Sequence, residues 1–131
     1  MTMIKKRLAL VLFAMVGLLP IAARAAAPDV AAGYAVYLGQ CSDCHSNKPG
    51  MDRFGPTLAG VYGRMAGTAP RHRYSKAMSD AHIVWNATTL NAFLRHPRAD
   101  MPGTIMPYSG LASAAARANV IAYLKSISPG S

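Results

Sequence analysis

Hydrophobic positions along this chain keep a helical period in three places and lose any period between them. The first apolar run, Leu8 to Ile21, is continuous, follows Lys5-Lys6-Arg7 and gives way to small residues at positions 22–27. A basic start, an apolar middle and a small-residue end are the parts of a secretory signal. The run is shorter than the ~18 apolar residues of a spanning helix and no second run follows it, so cleavage is expected and no stable membrane insertion after it. Ala23-Arg24-Ala25 supplies the A-x-A pattern, which makes residues 1–25 the leader and residues 26–131 a single domain.

In that domain the first helical rhythm is Tyr34, Tyr37, Leu38 and Cys41, at i, i+3, i+4 and i+7, behind Asp29 as N-cap. Gly33 lies on the same side. Glycine costs about 1 kcal/mol in a helix interior, so its place on a packing face predicts that another helix crosses closely there. Residues 46–73 turn to Gly, Pro, Asn and Arg without a period, a length of irregular chain that a compact domain keeps only when something functional orders it. A short helical turn is expected over Ser75–Met78 and an extended run at Ile83-Val84-Trp85. A second helix is predicted from its N-cap Asn86 to His96, with Leu90, Phe93 and Leu94 as its apolar face and Pro97 as its stop. The segment from Met101 to Pro107 contains Pro102 and Gly103 and reads as an ordered loop. The last helix, from near Ser113 to about Ile127, repeats Ala116, Val120, Tyr123, Leu124 and Ile127, the face that would cross the first helix at Gly33 and Tyr37. Helices without parallel-strand runs make the chain all-α.

Charge changes this picture little. The 131 residues carry fourteen Lys and Arg against five Asp and no Glu, a net charge of +9. Lys5, Lys6, Arg7 and Arg24 belong to the leader, which leaves ten basic residues against five aspartates, or +5. No basic run is left that tracks a phosphate backbone, so nucleic acid is not an expected partner. The absence of glutamate removes Glu–Lys support along the helices, so tertiary packing and the group that orders residues 46–73 must hold them.

Cys41-Ser42-Asp43-Cys44-His45 is where the chemistry concentrates. A C-x-x-C can be a redox pair or half of a zinc site. Zinc needs two further ligands, yet these are the only cysteines, and His72, His82 and His96 are scattered singly. A thioredoxin-like pair expects a βαβ neighbourhood that is missing. With histidine directly after the second cysteine, the spacing points to covalent haem attachment: each thiol adds to one vinyl group, and His45 comes to lie beneath the iron.

Taken in order, C-S-D-C-H, G-P-T-L, Y-G-R-M-A-G-T-A-P, Ile83-Val84-Trp85, P-G-T-I-M-P and Val120-Ile121-Ala122-Tyr123-Leu124-Lys125 give the chain a family likeness. It resembles a class I cytochrome c, close to the mitochondrial type and its soluble bacterial relatives. The resemblance implies that fold: N- and C-terminal helices crossing, with shorter helices and loops wrapped around one haem c held by Cys41 and Cys44. It implies His45 as proximal and Met106 as distal iron ligand; Met51, Met65, Met78 and Met101 are the rivals, Met101 being off the family pattern. By position, Pro56 would accept the N–H of His45, and Arg64, Tyr74, Trp85 and Thr104 would meet the haem propionates. Phe93 and Met78 stand where many relatives carry a tyrosine and an asparagine. Gln40, Ala99, Ile105 and Ala112 stand where relatives ring the haem edge with lysines, and Arg53, Arg71, Arg73 and Arg98 are the comparable charges here.

The function implied is electron transfer without catalysis, by a monomeric periplasmic carrier working between redox proteins such as a membrane cytochrome complex, an oxidase or a dehydrogenase. Two further readings are a haem subunit docked to a larger oxidoreductase and a small haem enzyme acting on peroxide or a gas. No paired carboxylates or Ser/His arrangement points to bond-making chemistry.

Overall fold

Two helices at the ends of the domain meet at a glycine, and the rest of the chain is wrapped between them. The computed structural model describes residues 24–130; of the expected leader, residues 1–25, all but the last two lie outside the described residues. Helix α1 (Val30–Gln40) begins at Asp29, whose Oδ1 accepts from the backbone N–H groups of Ala31 and Ala32 at 2.7 and 3.2 Å. Helix α5 (Ala114–Ser126) begins at Ser113, whose hydroxyl caps Ala116. The two cross at Gly33, where a Cβ would lie 2.0 Å from the backbone oxygen of Asn119 and 2.8 Å from Cβ of Tyr123. Asn119 also accepts the N–H of Asp29 at 2.9 Å, pinning the start of α1 to α5.

This close approach narrows the contact line, and the expected face of α1 is narrower in consequence. Gly33 and Tyr37, four residues apart, are buried. Tyr34 and Leu38 are 44% and 50% exposed, because each sits about 100° round the helix from that line. Tyr34 keeps a partial role through its ring, 5.3 Å from that of Tyr123.

Between the end helices lie α2 (Lys76–Ser79), capped by Ser75, and α3 (Ala87–Arg95). A reciprocal capping box between Asn86 and Thr89 starts α3. Pro97, expected only to stop it, does more: with His96 extended, the proline opens a further turn, α4 (Pro97–Asp100). Proline cannot continue an i→i−4 ladder but fits the first helical position, whose N–H has no partner anyway. Ile83-Val84-Trp85 is extended as expected, and Val84 forms an isolated antiparallel bridge with Met65. Among the described residues there is no longer strand, and no helix is long and apolar enough to cross a membrane.

The core gathers Tyr37, Trp85, Leu90, Phe93, Met101, Val120 and Leu124. Among the described residues one charged side chain is buried beside it, with no sign of this in its spacing or neighbours along the chain. Arg117, 6% exposed, donates from Nε to Asn91 Oδ1 at 2.8 Å and from Nη1 to the carbonyls of Leu111 and Ala112 at 2.6 and 2.8 Å. It joins α5, α3 and the loop leading into α5. Arg117→Leu leaves those acceptors without their donor, and a loss of about 2–4 kcal/mol in guanidinium-induced unfolding is expected. A loss below ~1 kcal/mol would show that the network is dispensable.

Candidate functional site

At the C-terminal end of α1 the chain leaves helical geometry at Cys41 and turns through the two cysteines into His45. The turn is closed by the backbone N–H groups of Cys44 and His45, both donating to the carbonyl of Cys41 at 3.1 and 2.9 Å. Aromatic residues of both end helices grip the chain beyond this turn: the Tyr37 hydroxyl donates to the carbonyl of His45 at 2.8 Å, and Asn47 Nδ2 donates to the Tyr123 hydroxyl at 2.8 Å. The crossing at Gly33 is thereby coupled to the orientation of His45. Sequence reasoning found the crossing but not these polar ties, which depend on where two tyrosine rings end.

His45 is held by two contacts. Its Nδ1 lies 2.7 Å from the carbonyl of Pro56, and because a carbonyl only accepts, Nδ1 carries the proton and Nε2 presents its lone pair. Burial lowers the ring's pKa, against the opposing pull of the Pro56 bond, so the neutral, ligating form is favoured near pH 7. Gly55 packs against the same ring: a Cβ there would lie 2.3 Å from Cε1 and 2.7 Å from Nδ1 of His45. Gly55 stands in the G-P-T-L motif, but its role as the floor beneath an imidazole emerges only from the packing.

Both cysteines are unpaired and half-buried. Burial, with Cys44 as a second cause, pushes the Cys41 thiol up to about 11. A redox-active C-x-x-C pair works by the opposite shift, so that reading loses its support. Among the described residues no group of three or more His, Cys, Asp or Glu is placed to hold a metal ion, so the zinc reading finds no ligand set.

The stretch 46–73 proves partly self-supporting. Thr57 donates its hydroxyl to the carbonyl of Lys48 at 2.7 Å and its N–H to Asp52 at 2.8 Å, while Leu58 N–H reaches the carbonyl of Ser46. These side-chain bridges and the backbone bond give an aperiodic chain the partners that a helix would supply, a local order that periodicity does not reveal.

Arg64 and Tyr74 are both part-buried and interact electrostatically. Arg64 donates to the carbonyls of Ala59 and Thr57 at 3.3 and 3.2 Å. The Tyr74 hydroxyl accepts from Ala69 at 3.2 Å, and burial raises its pKa, so it keeps its proton as a donor. Trp85 is buried with its ring 5.1 Å from Phe93. Thr104 and Met106 lie on the loop after α4, where the Thr104 hydroxyl accepts from Met106 N–H at 3.4 Å.

The two methionines that flank the Pro102-Gly103 segment are separated by burial. Met101 is 7% exposed within the core, whereas Met106 packs partly buried against that core, as Cys41 does. The loop returns to α3 at Gly110, whose φ of +114° and closeness to the backbone oxygen of Arg95, 2.3 Å from a would-be Cβ, admit no side chain. One free imidazole nitrogen, two thiols on the preceding turn and a partly buried thioether on the loop after α4 are donors whose chemistry fits covalent haem better than either alternative.

Known proteins resemble the chain across this region. The family model for cytochrome c matches residues 30–128. A cytochrome c from Euglena viridis is 39% identical over 99 residues, 76% of this chain and 97% of that protein. Cytochrome c2 iso-2 of Magnetospirillum fulvum is 43% identical over 89 residues, 68% and 93% of the two. Among solved structures, cytochrome cH from Methylobacterium extorquens has a TM-score of 0.70 and 33% identity, covering 75% of this chain and 98% of that one.

Proposed function

We propose, because this chain belongs to the cytochrome c family and carries covalent haem c as that family does, that it is an exported, monomeric periplasmic carrier passing single electrons between redox proteins. It is an electron-transfer protein and not an enzyme. The haem supplies a ferric/ferrous couple in which one electron moves without bond rearrangement. Cys41 and Cys44 fix it through two thioethers. His45, oriented by Pro56, would hold the iron through its free Nε2. Met106 would supply the second protein ligand to the iron, a thioether that favours the ferrous state and would compete with peroxide or a gas for the metal. Arg64, Tyr74, Trp85 and Thr104 would be the donors to the propionates, because a buried carboxylate without donors is costly.

The observation that carries this reading is the hold on His45, with the Pro56 carbonyl 2.7 Å from Nδ1 and Gly55 packed too close to the ring to admit a side chain. An imidazole held in this way would offer the iron a fixed ligand in both oxidation states. Export rests on the leader pattern in residues 1–25, and the partners are a membrane cytochrome complex, an oxidase or a dehydrogenase.

Recognition of these partners draws on an unusual rim. Ile105, beside Met106, is 70% exposed, and Gln40, Ala99 and Ala112 are also exposed, so the positions flanking the haem edge are mostly neutral. Arg53, Arg71, Arg73 and Arg98 supply the nearby charge. Charge steering is therefore shared with apolar contact, and salt dependence is expected to be moderate. Reduced protein mixed with membranes of its source organism should be reoxidised, about tenfold more slowly at ~0.15 M ionic strength than at low salt, the Debye length there being about 8 Å. No reoxidation would overturn the carrier function. A fall of about a hundredfold or more would mean that charge steering dominates the docking.

A further inference from the structure

The loop that bears Met106 is fastened to the rest of the protein at uneven intervals. Its start is anchored by Met101 in the core and its end by Leu111 N–H, which donates to the carbonyl of Leu94 at 2.8 Å. Between these anchors the backbone bonds stay local: Thr104 N–H reaches the carbonyl of Met101, and Tyr108 N–H that of Met106 at 2.9 Å. The segment carries exposed Pro102, Gly103, Ile105 and Pro107, so little apolar burial holds it down. A side-chain bond ties it to another element: the Tyr108 hydroxyl donates to Oε1 of Gln40 at 3.1 Å. Gln40 is the last residue of α1 and the immediate neighbour of Cys41.

We infer that Tyr108 and Gln40 form a surface clasp that holds the Met106 loop closed, making both of them positioning residues for the distal ligand. The clasp joins the two sides of the site directly: one end is next to the covalent attachment, the other two residues beyond the sulfur donor. Pro107 lies between Met106 and Tyr108, and its fixed φ removes one of the torsions through which the thioether could drift while the ring stayed bound. Loop opening that withdraws Met106 must break this bond. The fraction of molecules with an open sixth position is therefore set partly by the clasp, and an added small ligand reports that fraction as its apparent affinity.

This inference rests on Met106 being the distal ligand, and the test separates the two. Imidazole is titrated into the ferric holoprotein and followed by the haem absorption. Tyr108→Phe, which keeps the ring and removes the hydroxyl, should bind imidazole about three- to tenfold more tightly than the parent, the scale of one partly exposed hydrogen bond. Gln40→Ala should do the same, the double variant should equal either single one, and Gln40→Glu, which retains an acceptor, should stay within about twofold of the parent. A purely structural contribution would not show this pattern of equal, non-additive effects and rescue. If Tyr108→Phe changes the affinity less than about twofold, or if the two effects multiply in the double variant, the clasp is refuted. Failure of the ligand assignment is recognised separately, by survival of the methionine–iron absorption band in Met106→Ala.

Discussion

Replacing Met106 by alanine is expected to abolish the weak far-red absorption band that methionine ligation gives ferric haem and to lower the reduction potential, while Met101→Ala leaves that band in place. Both residues flank the same Pro-Gly segment and are chemically identical, so composition cannot separate them. Their surroundings can. Met101 is 7% exposed among core residues, and removing its side chain creates a cavity that should cost about 2–5 kcal/mol of stability. Met106 packs only partly buried at the core's edge, on a loop with few bonds beyond itself, which suits a side chain whose sulfur has a partner other than protein. A thioether stabilises ferrous iron, so its loss favours the ferric state and opens a coordination position. The two variants thus fail in opposite ways, one in spectrum and potential, the other in denaturation midpoint. Survival of the band in Met106→Ala, or its loss in Met101→Ala, would reverse the assignment.

The crossing at Gly33 should prove the most sensitive point of the fold. Gly33→Val, and even Gly33→Ala, places a Cβ 2.0 Å from the backbone oxygen of Asn119, and neither helix backbone has a rotamer with which to yield. The helices must separate, loosening the Asp29–Asn119 bond and the ring contacts among Tyr34, Tyr37 and Tyr123. A cost of about 3 kcal/mol or more is expected, a large part of the roughly 5–15 kcal/mol that stabilises a typical domain. Since Tyr37 also holds the carbonyl of His45, poor recovery of haem-loaded protein should accompany it. Gly39 on the same helix is the internal control. Nothing lies within 4 Å of its would-be Cβ, so Gly39→Ala should raise stability by about 0.5–1 kcal/mol through helix propensity alone. Equal melting of Gly33→Ala and the parent would refute the close crossing.

Some of this was legible in the residues because it depends on local chemistry. Two thiols and an imidazole within five positions carry their function in their spacing. Asp29, Ser75, Asn86 and Ser113 were open to reading as starts of helical elements, since a cap is a bond between a side chain and the next turn. Even the crossing at Gly33 was legible, because a glycine on an apolar face loses helix propensity unless another backbone needs the space.

Beyond the reach of sequence lies whatever depends on distance between segments far apart in the chain. Tyr34 and Leu38 share the period of Tyr37, yet only Tyr37 is buried, because periodicity gives a direction around a helix and the closeness of α5 sets how wide the covered stripe becomes. Arg117 looks like any surface arginine until Asn91 and two carbonyls converge on its guanidinium. Gly55 becomes a support for His45, and Tyr108 a partner of Gln40, through contacts spanning 10 and 68 positions. Residue order was enough to find the haem-attachment motif and the caps of α1, α3 and α5. Which of two methionines is core, and which polar groups hold the site in place, came from tertiary packing, because burial and hydrogen bonding are set by neighbours that only folding brings together.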